Sequence, residues 1–174
     1  MCIRDSKWIS LNKGDVQIIR AGNGISHAEE LNEKSEIFQI WFDPNIQLSI
    51  TKEASYDDYK SDDFEVIENN GTKTKKIAGK NCPMKIFSEG IEINSYEITE
   101  KNKLNLQLQN DSVYSYFILD GEGSINNDKI EKGDFFIVSD SEDLIINTNS
   151  KTKIFEIKSP QRPSYNTYSE RFMR

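Results

Sequence analysis

The sequence predicts an all-β fold built from two related units, and three observations carry that prediction. Apolar and polar residues alternate at period two through the second half of the chain, as strands buried on one face require. Clusters of Gly, Asn and Asp punctuate these runs at short intervals. The tetrad Lys13-Gly14-Asp15-Val16 recurs as Lys132-Gly133-Asp134-Phe135, each copy opening an apolar run. No stretch shows the sustained periodicity of a long amphipathic helix.

In order, Met1-Cys2-Ile3-Arg4-Asp5-Ser6 looks like the translation of a sequencing-library adapter end, so residues 1–6 are set apart from the fold as a scar. On that reading the natural gene continues upstream and Cys2 carries no meaning. Lys7 to Leu11 ends a strand that leads into the Asn12-Lys13-Gly14-Asp15 turn. Val16 to Ile19 is a short strand, Gly22 and Gly24 mark a tight bend, and Ile25 to Glu29 resumes the strand. Phe38, Ile40 and Phe42 alternate with Gln39 and Trp41 as a strand with two different faces. Residues 43–78 are polar. They form a connection with a short strand at Phe64, Val66 and Ile67, and Lys73-Thr74-Lys75-Lys76 reads as a solvated loop. The acidic group Asp57, Asp58, Asp62 and Asp63 lacks the spacing of a calcium loop and reads as exposed. From Met84 onward, strands follow at 85–87, 91–98, 104–108, 114–119, 135–138, 144–146 and 154–157, with a hairpin turning at Asn126 to Asp128. The tail from Pro160 to Arg174 is mixed and polar, and reads equally as a strap or as disorder.

Composition narrows the function. The 174 residues carry a formal net charge of −7 with no extended basic block, which argues against direct nucleic-acid binding. No apolar run reaches membrane-spanning length and no signal-peptide core is visible. Two cysteines, Cys2 and Cys82, give no disulfide framework, which fits a cytoplasmic setting. Cys82, next to Pro83 and far in sequence from the single histidine, reads as a small structural residue.

That histidine, His27, lies two residues before Glu29. On a strand, positions i and i+2 share a face, and imidazole plus carboxylate is a donor set used at non-haem iron centres. The plainer reading is a surface histidine beside a solvated glutamate. The surrounding residues favour the metal. Gly14, Asp15, Gln17, Ala21, Gly22, Gly24, Ile25, His27 and Glu29 stand in one register that closely resembles the second metal-binding motif of the pirin family. The resemblance continues through Ile37-Phe38-Gln39-Ile40-Trp41-Phe42 and Pro44, and Tyr56 or Tyr59 answers to a tyrosine that follows. It covers about the first third of the chain.

The resemblance implies a cupin (jelly-roll) architecture, with an incomplete first cupin followed by a second cupin-like barrel. The first cupin's part spans 7–56, a linker or loop 57–83, the second cupin 84–160 and the tail 161–174. The second cupin has no histidine, as the family's metal site lies in the first. The resemblance also implies that His27 and Glu29 are two of four protein ligands to one Fe(2+) ion, the other two being an H-x-H pair on an earlier strand. The sequence departs from the family there, because no H-x-H is present. The chain is therefore expected to bind iron weakly or not at all, and to be less stable than its parent, with open sheet edges and apolar surface near Val16, Ile18 and Phe38. Gln17 stands where it would hydrogen-bond a ligand or simply be a polar strand residue, and Trp41 is expected in the core or a cavity wall.

Two functions follow from the resemblance. One is a quercetin 2,3-dioxygenase-type oxygenase acting on a flavonol-like molecule, with Glu29 also taking the substrate's hydroxyl proton. The other is a non-catalytic, iron-dependent regulator that binds a protein partner. A degenerate cupin without activity is a third reading. Fold alone does not choose among them.

Overall fold

The computed structural model describes residues 2–4, 7–168 and 170, and these divide into two compact units, 1–63 with 165–174, and 64–164. In the first unit, β1 (Cys2–Arg4), β2 (Lys7–Ile9), β3 (Val16–Arg20) and β4 (Ala28–Glu29) precede a single helical turn, α1 (Ile46–Ser49), and β5 (Ser55–Tyr59). The order β2-β1-β4 makes one small antiparallel sheet, and β3 pairs with β5 in a separate two-stranded ribbon.

The second unit contains β6 (Val66–Asn69), β7 (Thr72–Ala78), β8 (Glu92–Ile98), β9 (Lys103–Gln107), β10 (Ser112–Asp120), β11 (Glu122–Ile125), β12 (Asp128–Glu131), β13 (Phe135–Val138), β14 (Asp143–Thr148) and β15 (Thr152–Pro160). A six-stranded sheet runs β13-β10-β15-β8-β7-β6 and a four-stranded sheet runs β12-β11-β14-β9. Their facing sides share one core. Tyr96, Ile98, Tyr116, Ile118 and Ile154 come from the first sheet, and Leu104, Ile130, Leu144 and Ile146 from the second. This is a double-sheet jelly roll. It forms because the period-two apolar positions of each long strand fall on the inner face, so that β10 alternates buried and half-buried residues along most of its length.

Turn chemistry sets the connections. Asn126 and Asn127 both take positive φ, 49° and 73°, which is the backbone of the two-residue hairpin joining β11 to β12. Gly121, at φ 86°, lets β10 turn into β11 where a side chain would collide with the Lys151 carbonyl. The two Gly-Asp tetrads fold alike. In the first, Asp15 N–H donates to the Asn12 carbonyl at 3.0 Å, and the Asp15 carboxylate accepts from Asn12 N–H at 3.0 Å. In the second, Asp134 and Glu131 repeat both bonds at 3.0 and 2.8 Å.

Several expectations need correction. Residues 57–83 are not a linker: β6 and β7 are integral to the six-stranded sheet, and the unit boundary falls between Asp63 and Phe64. The Lys73 to Lys76 run lies on β7, where strand pairing on both sides outweighs its polarity and its ammonium groups reach Glu68 and Glu65. No strand forms at 37–42, because no described segment pairs with it, and Trp41 is 88% exposed rather than core. Residues 85–87 are likewise irregular, beside an isolated bridge between Ala78 and Met84. Cys2–Arg4 of the segment set apart as a scar form β1, paired with β2 and β4, while Met1, Asp5 and Ser6 lie outside the described residues. The tail does not act as one piece. Ser164 bonds Glu89 in the second unit, and the Tyr165 hydroxyl donates to the Asp43 carbonyl in the first at 2.8 Å. No helix of the described residues is long and apolar enough to cross a membrane.

Candidate metal centre

His27 sits immediately before β4, and Glu29 ends it. The bend that delivers them uses Gly22 at φ 53° and Gly24 at φ 132°, conformations that L residues rarely adopt. Gly22 packs its Cα face against the Lys52 carbonyl, so a methyl there has no room. The Asn23 amide donates to that same carbonyl at 2.8 Å and Gly24 N–H donates to Ala21 O at 2.8 Å, which fixes the bend. β4 then pairs with β1 in the register Cys2↔Glu29 and Ile3↔Ala28.

The i and i+2 spacing places both side chains on one side, as a strand requires. His27 Nε2 lies 3.8 Å from Glu29 Oε1, and the side chains are 29% and 32% exposed. Two donors at about 2.1 Å from one ion, at a right angle, stand about 3 Å apart. The observed separation is somewhat wider than that bite. The pair nonetheless comes close to the spacing of two adjacent positions of a metal's coordination sphere. The described residues contain no group of three or more His, Cys, Asp or Glu that could hold a metal ion.

The other residues singled out by sequence lie elsewhere. Gln17 donates from Nε2 to Asp58 Oδ1 at 2.6 Å, across the Gln17↔Asp58 register pair of β3 and β5. It acts as a cross-strand polar residue and not as a ligand's hydrogen-bond partner. Gln39 is exposed. Tyr56 and Tyr59 both stand on β5, opposite Ile19 and Val16. Cys82 is buried, and desolvation raises its thiol pKa, in keeping with a structural residue.

Asp15 is more than a turn residue. Its side chain is 4% exposed and gathers Asn12 N–H, the Lys60 ammonium at 2.9 Å and Ser61 N–H at 2.9 Å. The Asn12 amide, then Lys60, then the Ser61 amide hold its carboxyl down at about 2. This ties the start of β3 to the end of β5.

Sequence reasoning missed a second polar cluster, inside the second unit. Glu156 on β15 is 3% exposed and accepts on Oε1 from Asn94 Nδ2 at 2.8 Å and from the Tyr96 hydroxyl at 2.9 Å. The Tyr116 hydroxyl is buried beside this carboxylate without meeting hydrogen-bond geometry. Burial, then the Glu156 charge, raises the pKa of both phenols far above its ordinary value, so each remains a neutral donor. The signal was available in the sequence, because Thr152, Ile154 and Glu156 follow at period two and share a face.

Solved structures share this fold. Quercetin 2,3-dioxygenase from Acinetobacter baumannii superimposes with a TM-score of 0.70 at 17% identity, over 84% of this chain and 50% of that one. The nickel(II) complex of the bacterial pirin YhhW from Escherichia coli gives 0.66 at 18% identity, over 84% and 62%. GK1651 from Geobacillus kaustophilus gives 0.68 at 18%, over 88% and 67%. These likenesses show the fold, a cupin jelly roll. The chain spans about half the length of the quercetin 2,3-dioxygenase structures it matches, 56% and 50%. No family model matches the sequence, and no curated protein matches it.

Proposed function

We propose that His27 and Glu29 supply two donors of a mononuclear iron centre in a pirin-like oxygenase of the quercetin 2,3-dioxygenase type. The observation that carries this reading is their approach to 3.8 Å on one side of β4, within a fold of the pirin type. An imidazole and a carboxylate with open positions suit iron chemistry. Bound iron would supply a Lewis-acidic seat for the hydroxyl and carbonyl oxygens of a flavonol. Glu29 would hold the proton of the substrate's hydroxyl, being the carboxylate next to His27. His27 would orient one face of the centre through Nε2. The remaining donors are not among the described residues, so the pair alone binds iron weakly.

The test is oxygen uptake with quercetin by the full chain in the presence of excess Fe(2+). The expected result is quercetin-dependent uptake that His27→Ala and Glu29→Ala abolish. Iron loading without uptake would remove the oxygenase reading. Tight iron binding that survives His27→Ala would remove the metal reading as well.

A further inference from the structure

We propose that the open end of the second unit's barrel is a binding site for a small primary ammonium ligand, with Glu156 as its counter-charge. The inner faces of β8 and β15 change character along their length. The register pairs Tyr96 with Ile154, then Asn94 with Glu156, then Glu92 with Lys158. The apolar core around Ile98, Ile118 and Ile154 thus gives way to a polar mouth. There a cleft of about 210 Å³ opens, lined by Asn94, Tyr96, Gln107, Tyr114, Glu156 and Lys158 among others. It is smaller than the roughly 300–1,000 Å³ of drug-sized sites, so its occupant is small.

Charge decides the chemistry of that occupant. Lys158 is the one cation among the lining residues, and its Nζ is paired with Glu92 Oε1 at 2.7 Å. Glu156 therefore stands in the barrel without a cation of its own. A buried carboxylate in that position is costly unless it is paired or fully hydrogen-bonded. Its two neutral donors, Asn94 and Tyr96, both bond Oε1. Oε2 is the acceptor left for a ligand N–H. The Tyr116 hydroxyl is buried against the same carboxylate but does not line the cleft, so Glu156 is the member of this polar network that a ligand would meet. The rings of Tyr96 and Tyr114 give the cleft aromatic walls, which attract cations over neutral or anionic groups. This site belongs to the unit that has no histidine, and it does not depend on the iron reading.

Three probes of matched size separate the chemistries, namely n-butylamine, n-butanol and butyrate, titrated into the full chain and followed by the side-chain amide resonances of Asn94, Gln107 and Gln109. The expected result is saturable shifts with butylamine, and affinities weaker by about tenfold or more for the alcohol and the acid. Glu156→Gln should weaken the amine by about tenfold or more while the chain still melts cooperatively. Should that variant fail to fold, Lys158→Gln decides, because it removes a like charge and frees Glu92, and amine affinity should rise. Butanol binding as well as butylamine, no saturable binding by the amine, or an amine affinity unmoved by Glu156→Gln or Lys158→Gln would each overturn the proposal.

Discussion

The two units open a strand with the same device and differ in what the strand then meets. Asn12 to Asp15 and Glu131 to Asp134 fold into the same doubly bonded turn. After the second turn, β13 joins β10 and so enters a six-stranded sheet facing a packed core. After the first, β3 finds only β5 among the described residues. The consequence is plain in burial. The buried apolar core of the described chain belongs to the second unit, which also exposes Phe135 and Ile137 on β13, whereas in the first Leu31, Ile37, Phe38, Trp41, Leu48 and Ile50 are exposed and no described apolar residue is buried. A turn is specified by local hydrogen bonds and forms wherever its sequence occurs. A strand becomes part of a core only when a second layer covers it.

The largest effects should therefore fall in the second unit. Ile146→Ala or Ile154→Ala, both fully buried, should cost about 2–5 kcal/mol in urea denaturation. Ile18→Ala, half-buried on β3, should cost under about 1 kcal/mol. Equal losses would break the comparison. Next in size is Gly121→Ala, where strain from φ 86° adds to collision with the Lys151 carbonyl and with Thr152, whose Oγ1 would lie 2.6 Å from the new carbon. It should destabilise by more than about 1 kcal/mol. Gly133→Ala, at φ 94° with nothing within 4 Å of the new methyl, carries only the backbone strain and should cost less.

A pH effect sharpens the comparison from the other side. The Asp15 carboxyl is held at about 2, below its ordinary 3.8. A lowered folded-state pKa gives stability that is complete above the unfolded value and lost as pH falls through the folded one. The β3–β5 ribbon should therefore loosen between about pH 4 and pH 2, and Asp15→Asn should remove that dependence. Carboxyl-carbon NMR titration reads it directly, and an Asp15 midpoint near 4 would contradict the turn's bonding. The smallest effect should come from Arg20→Ala. Its 2.7 Å ion pair with Asp57 joins β3 to β5, and Asp57 is half exposed, so the loss should stay within about 1 kcal/mol in thermal melts.

How much was legible follows the same division. β8, β9, β10, β14 and β15 were readable because long alternating strands buried on one face write their burial into the sequence. The Gly-Asp turns and the Asn126-Asn127 hairpin were readable because their geometry is local. The alternation at 37–42 was as clear, yet it formed no strand, since pairing depends on a partner that the pattern does not contain. β7 was hidden by its lysines, which lie on a strand held on both edges. His27 and Glu29 were legible as a pair, because i and i+2 on a strand guarantee proximity. Glu156 was passed over because its partners, Asn94 and Tyr96, lie about sixty residues earlier in the chain and meet it only through the register of β8 and β15.

The central claim is that the chemistry of the first unit rests on one two-donor pair, while the second unit carries the packing. A nickel(II) titration followed by backbone amide NMR tests it most directly, because nickel favours imidazole and the chain has one histidine. Paramagnetic broadening should begin at residues 25–30, leave β8, β10 and β15 sharp at the same concentration, and vanish from 25–30 in His27→Ala. Broadening that starts in the second unit, or that persists at 25–30 without His27, would contradict the account.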